Sequence, residues 1–508
     1  MPRAIQVNPI NATISAVISV LIYLPLVLCG FFLRSIVRAI TKCKFGRQAD
    51  VTFSGDCTTI VKGMRNPDSL LAAIIHCENE LSLEQLKERF REKILDVRNP
   101  DGSWLHPKLR SSFIYFLNYS VSVPYQDFDS DQHFVYLMDK NGQPLVCRSD
   151  QDLEDAMEKS LNTDVHPDQP LVPKWIFRVC YKQDQGSVHT CIIMHLDHRL
   201  ADAGGILLAL MPKFLDEDLK SDPSVMFRSM RPVKLWQRLI LYAKGFLLIP
   251  LVLLRTLMVA VVDRNPLHDR EGKQPGRFFL APQHIPMKKL REIRVNTGAT
   301  LNTILSVSLF RGVHRMCEKI NDGSGPLKRS WNWTITAPIS RWLPGDKVEL
   351  INRSTGILYG MNSSEISKND PLDALAKAKY VFEDPSKNDY GWAMRLLGLT
   401  MYNWVPMYVN DLLFAKGVRN YTGVFSNVRG NESVQHMMGN KMISMVPYVS
   451  MWDNLDYGMV SFSYHDSMTV ALAGRIGSFK SREELRQLWH FIKEEIEILH
   501  ETAVKKVS

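Results

Sequence analysis

The chain lacks a disulfide framework, a zinc-ligand spacing and a glycine-rich phosphate loop, and each absence removes a class of function. Its eight cysteines are scattered, with no CxxC pair. That is the usage of reduced thiols in a cytosol-facing protein, not of a stapled secreted domain. With no paired Cys/His ligands, neither a structural metal nor a bound cofactor is expected. No basic run carries interleaved aromatics, so the net charge of +9 and the pI near 9.0 do not indicate nucleic acid. They favour anionic partners of another kind, lipid head groups or a phosphorylated co-substrate. Internal repeats and low-complexity tracts are missing too. What remains is a 508-residue chain that is 45% apolar, enough for two packed domains and a short appendage.

Long apolar runs are present, and there are two. From Ala12 to Leu33 the chain carries no charge, and about 20 such residues cross a bilayer core. Arg34, Arg38, Lys42, Lys44 and Arg47 follow this run while only Arg3 precedes it, which predicts a retained single-pass anchor with the body in the cytosol. The sequons at Asn118, Asn332 and Asn420 are accordingly expected to be folded inside. The second run, Leu239 to Val262, contains Lys244, Pro250 and Arg255. The two cations fall on one helical face, which suits a helix lying in the membrane surface with Phe246 and Leu253 on its opposite, lipid-facing side. The polar stretch 263–277 reads as the end of a linker. The expected division is a membrane anchor over 1–47, a first domain over 48–230, a hydrophobic segment and linker over 231–277, and a second domain over 278–508.

Both domains mix strands and helices, an α/β (α+β) class. Ser82 and the stretch 151–161 mark helices in the first domain, and 169–182 predicts a strand that pairs with 187–195 through a turn at 183–186. In the second domain helices are expected near 298–316 and 481–499, with strands at 330–342, 423–434, 442–450 and 458–473. The centre of the pattern is CIIMHLDHRLADAGGILLAL, residues 191–210, where a β-branched strand gives way to an apolar helix. His198 and Asp202 sit at this junction in an HxxxD spacing. A neutral imidazole there can act as general base while the carboxylate turns inward to orient the loop. His195, three residues earlier on the strand, is expected to point to the other face.

The ordered series DFDSDQHF (127–134), QPLVPKW (169–175), DHRLADAGG (197–205), GATLN (298–302), APISR (337–341), SNVRG (426–430) and SFSYHD (461–466) resembles the wax ester synthase/diacylglycerol acyltransferase family. The likeness runs over about residues 105 to 495. It implies two chloramphenicol-acetyltransferase-like domains around a central tunnel, with acyl-CoA as co-substrate, a lipid alcohol as acceptor and membrane lipids as surroundings. It further implies His198 as base, Asp202 as an orienter paired to an arginine such as Arg341, and Asn302, Ser461 and Ser463 as oxyanion donors. Gly204, Gly205, Arg341 and Asn427 are implied on the substrate side. Two departures stand out: where the family has HHxxxDG, this chain has Asp197 for the first His and Ala203 for the Gly. These departures also fit a lipid-binding or transfer protein built on the same fold. Location in the endoplasmic reticulum membrane, catalytic body to the cytosol, follows from the anchor.

Overall fold

The computed structural model describes residues 9–52, 70–217, 234–262, 265–268, 270–321, 332–340, 342, 346–366, 370–381, 389–409, 421–449, 451 and 455–505. In chain order, helix α1 spans Pro9–Phe45, strand β1 Leu70–Cys77 and helix α2 Asp150–Leu161. Strands β2 (Trp175–Asp184) and β3 (Ser187–Asp197) follow, then helix α3 (Leu235–Val262) and helix α4 (Leu301–Ile320). Strands β4 (Asn332–Ser340) and β5 (Ser354–Asn362) precede helix α5 (Asp389–Trp404). Strands β6 (Gly423–Arg429), β7 (Asn440–Tyr448), β8 (Tyr457–Tyr464) and β9 (Ser467–Arg475) lead into helix α6 (Arg482–Lys505).

Local chemistry fixes several boundaries. Ser82 and Ser149 each close a capping box, with Gln85 and Asp152, that satisfies first-turn N–H groups. Helix α4 is opened by Thr300, whose hydroxyl accepts from the Thr303 N–H, so the cap lies before Asn302. Between β2 and β3, Gln185 and Gly186 both take positive φ. This two-residue turn matches the twist of the flanking strands and sets Trp175 opposite Leu196.

Two seven-stranded sheets form the body. The first runs 436–437, β7, β1, β3, β2, 134–136; the second runs 283–286, β9, β8, β6, β4, β5. The expected division at residue 278 is therefore crossed, because β7 pairs antiparallel with β1 and completes the first sheet. Ala72, Ile74 and Ile193 of the first sheet and Val424, Val460 and Ala471 of the second share one buried apolar cluster. The stretch that reads as a linker is pinned rather than free: Lys273 Nζ lies 2.7 Å from the buried Asp456 carboxylate, and Asn265 Nδ2 donates to Thr422 Oγ1 at 2.7 Å.

Helices α1, α3 and α5 pack together on the second domain. Ser15 donates to the Leu247 carbonyl at 2.6 Å and Ser19 to that of Phe246 at 2.9 Å, while Tyr23 bonds Thr400. At Gly30 the approach is so close that a Cβ would collide with the Trp404 carbonyl. Arg34 then donates to the Asn403 carbonyl at 3.0 Å. One side of the apolar helix is thus fastened to the body along its length. Its other side, with Ile14, Leu21, Phe32 and Ile36, is exposed.

In α3, Lys244 is exposed, and the Arg255 side chain lies outside the described residues. Phe246 and Leu253 pack against the core, so they face inward and not outward as the spacing of the cations suggests. Leu235, Trp236, Leu239, Ile240, Leu247, Leu254 and Met258 are exposed apolar side chains of this helix.

Candidate active site

Strand β3 ends at Asp197, which places His198 on the turn that follows and Asp202 at the cap of the next helix. Strand alternation stops there, and His195 lies deep in the interior, only 1% exposed. Asp197, standing where a second histidine is expected, is buried and chelates Arg199 through both oxygens, at 2.9 and 3.0 Å from Nε. The turn is thus tied down by an ion pair within itself.

The three residues before β5 grip this turn from the other domain. Ile351 accepts the Asp202 N–H, Asn352 meets the His198 ring, and the Arg353 N–H donates to Asp202 Oδ2 at 2.9 Å. Asn352 Nδ2 stands 2.8 Å from His198 Nδ1. Its orientation is set by Ser354, whose N–H and Oγ–H both donate to Asn352 Oδ1, at 3.0 and 2.7 Å. Because Asn352 Oδ1 is taken by Ser354, its amide N–H donates to His198 Nδ1, so in this geometry Nδ1 accepts, the proton of the neutral ring is on Nε2, and Nε2 is the nitrogen left for a substrate. Burial lowers the His198 pKa, opposed by its own backbone carbonyl and by the charges of Asp202 and Asp197.

Among the described residues, Asp202 is held by hydrogen bonds and not by an ion pair. Its Oδ1 accepts the Gly205 N–H at 2.7 Å and the Trp342 indole N–H at 3.3 Å, so among the described residues every partner of the carboxylate is a neutral N–H. Arg341 lies outside the described residues; the next residue, the fully buried Trp342, is the one that touches Asp202. Gly204 and Gly205 make room for this contact. A Cβ on Gly204 would stand 2.7 Å from Trp342 Nε1, and one on Gly205 would stand 2.8 Å from the Ile351 carbonyl.

Asp202→Asn keeps the shape but replaces one acceptor by a donor facing an N–H. Leaving a buried N–H unmatched costs about 1–3 kcal/mol, so the melting temperature should fall together with activity. Activity lost at unchanged melting temperature would give Asp202 a direct chemical part.

The remaining expected residues are spread over the second domain. Asn302 is half-buried in the first turn of α4, and none of the bonds that hold His198 and Asp202 involves it. Ser461 donates to Asn427 Oδ1 at 2.9 Å across the β6–β8 pair, and Ser463 Oγ accepts the Gly430 N–H at 3.3 Å. Asn352, Arg353 and Trp342 are missing from the sequence reading. Their signal was weak: an Asn-Arg pair opening an apolar run, beside a Trp overshadowed by its neighbouring arginine.

Residues 352–499 match the family model for the WS/DGAT C-terminal domain. This stretch is similar to the C-terminal domain of that family. Its match begins at Asn352, the residue against the His198 ring. No curated protein sequence matches the chain. Among solved structures, the chain is similar to the wax ester synthase/diacylglycerol acyltransferase from Marinobacter aquaeolei VT8, at TM-score 0.55 and 16% identity over 89% of this chain and 99% of that one. The trichothecene 15-O-acetyltransferase TRI3 from Fusarium sporotrichioides is similar at TM-score 0.60 and 13% identity, over 89% and 95%. The first condensation domain of the calcium-dependent antibiotic synthetase follows at TM-score 0.52 and 11% identity, over 89% and 95%. The chain shares the fold of these acyltransferase structures. Family and fold together support acyl transfer as the reaction class.

Proposed function

We propose that the protein is a membrane-bound O-acyltransferase that moves a fatty acyl group from acyl-CoA to a lipid alcohol. A long-chain alcohol would give a wax ester and a diacylglycerol would give triacylglycerol. The observation that carries this reading is the His198 turn, ending a buried strand and gripped by residues 351–353 at the edge of the WS/DGAT-like stretch. For His198 to act as base the neutral ring carries its proton on Nδ1, with the Asn352 amide turned off that atom, and Nε2 then removes the hydroxyl proton as the alcohol oxygen attacks the thioester carbonyl. Collapse of the tetrahedral intermediate breaks the C–S bond. The CoA thiolate leaves and takes the proton back from the imidazolium, so transfer is direct and no acyl-enzyme is formed. Asn302 and Ser463 remain candidates to donate to the oxyanion.

The decisive measurement is a membrane-fraction assay with labelled acyl-CoA and a panel of alcohols and diacylglycerols, the products separated by thin-layer chromatography. Labelled ester supports the reading. Acyl-CoA retained without ester would favour the lipid-binding alternative, which the Asp197 and Ala203 departures suit.

Membrane attachment is part of the same proposal. Helices α1 and α3 both turn apolar side chains outward on the same side of the second domain. Cations placed after Leu33 and the cytosolic origin of acyl-CoA favour a body on the cytosolic face of the endoplasmic reticulum. Removing α1 would also strip the cover from Thr400 and Trp404, so point changes are the cleaner probe. Leu247→Glu with Leu254→Glu, at positions 37% and 51% exposed, should shift a substantial share of the protein from the membrane to the soluble fraction without lowering its melting temperature. Unchanged partitioning would show that α3 does not meet the bilayer.

A further inference from the structure

Strands β2 and β3 carry, on one buried face, a cation with no counter-ion among the described residues. Arg178 is 9% exposed and His195 is 1% exposed. Arg178 is paired in register with Val135 and Ile193, and His195 with Ile176 and Ala72, so these apolar side chains share its face. Arg178 Nη1 donates to His195 Nδ1 at 3.2 Å, which puts the proton of the neutral imidazole on Nε2. No carboxylate pairs with this guanidinium among the described residues, whereas nearby Lys174 is met by Asp164 and the Val165 and His166 carbonyls. Among the described residues, the remaining Arg178 N–H groups and His195 Nε2 are donors without an acceptor.

An isolated interior cation is costly unless something anionic joins it. A guanidinium fork fits a carboxylate through two parallel hydrogen bonds. The Arg277 guanidinium acts on the same imidazole, so an anion here meets a second positive charge, and the apolar residues in register with Arg178 and His195 suit a ligand with a hydrocarbon tail. His195 precedes His198 by three residues, at most about 11 Å of chain, so a ligand held here lies beside the reacting centre.

We propose that Arg178 and His195 bind the carboxylate of a long-chain monocarboxylate lying between the two sheets. This deepens the acyl-transfer reading by naming a second ligand class for the same interior, and the binding stands or falls separately from the chemistry. The full-length protein in neutral detergent is titrated with labelled hexadecanoate and with hexadecanol of equal length. The wild type should bind the acid about 10- to 100-fold more tightly than the alcohol. Arg178→Gln should erase that preference, and Arg178→Lys should keep part of it, the charge surviving without the fork. Because the charge has no protein partner, Arg178→Gln should not lower the melting temperature. Equal affinities in the wild type, a preference that survives Arg178→Gln, or a melting loss in that variant would each overturn the assignment. So would displacement of the acid by inorganic phosphate in the wild type alone. Transfer onto the neutral alcohol is assayed in the same preparation; its absence would sink the acyltransferase reading while leaving the binding result intact.

Discussion

Replacing His198 with alanine should lower ester formation by at least about 100-fold, the scale on which a positioned general base acts, while expression and membrane attachment persist. The expectation rests on what the ring is built to do. The Asn352 amide holds the ring through Nδ1, so Nε2 is the nitrogen turned to a substrate; release of that contact lets Nδ1 carry the ring proton and Nε2 accept one. Burial holds its pKa below the ordinary value of about 6.5. The sign follows directly: a base with a lowered pKa is already neutral throughout the cytosolic range. kcat/KM should therefore be flat above about pH 6.5 and decline as one proton binds below it. Wild-type turnover in His198→Ala, or an acid limb centred above pH 7, would exclude this mechanism.

The site was legible in sequence where it depended on neighbours in the chain. The HxxxD turn, the two capping boxes and the Gln185-Gly186 turn are local, and residues a few positions apart suffice to specify them. The grip on the turn was not legible, because Asn352 and Arg353 reach it across 150 residues and nothing in their surroundings marks which loop closes on which strand. The same holds for β7, a plain apolar strand whose partner, β1, lies some 370 positions earlier. In α3 the pattern identified an amphipathic helix but inverted its faces. The exposed cation at Lys244 was taken to mark the polar side, while the inward side is set by contact with Tyr23 and the core, where Phe246 packs. Arg341, the expected partner of Asp202, lies outside the described residues; its neighbour Trp342 meets the carboxylate with an indole N–H, which serves a buried carboxylate without adding a second buried charge.

Lowering the pH from 8 to 5 should destabilise the protein steeply, and the cause lies in three histidines away from the reacting centre. His76, His106 and His133 are each pushed down to about 4, chiefly by burial. His133 is stacked on Trp175 at 4.0 Å, with Nδ1 on the Trp175 carbonyl at 2.7 Å, and the Nε2 atoms of all three are buried without a partner. Above about pH 6.5 the imidazoles are neutral in folded and unfolded chains alike, and pH has no hold on them. Below that value the unfolded chain binds protons that the native interior refuses, so stability falls from about 6.5 down to about 4 and then levels off. At pH 5 each group costs about 2 kcal/mol and the three together about 6 kcal/mol, against a typical total of about 5–15 kcal/mol. Carboxylates titrate mostly below this window, so its upper part isolates the histidines. His133→Phe keeps the stack on Trp175 but removes one titrating group and the donor to its carbonyl. The loss of that donor lowers the melting temperature by a similar amount at every pH, so the readout is the slope: because His166 and His195 are pushed down as well, the variant should lose at most about a fifth of the wild type's dependence between pH 6.5 and 5. A melting temperature that stays level from pH 8 to 5 would mean that these rings are charged or hydrated in the native protein, contrary to the burial that sets their pKa values.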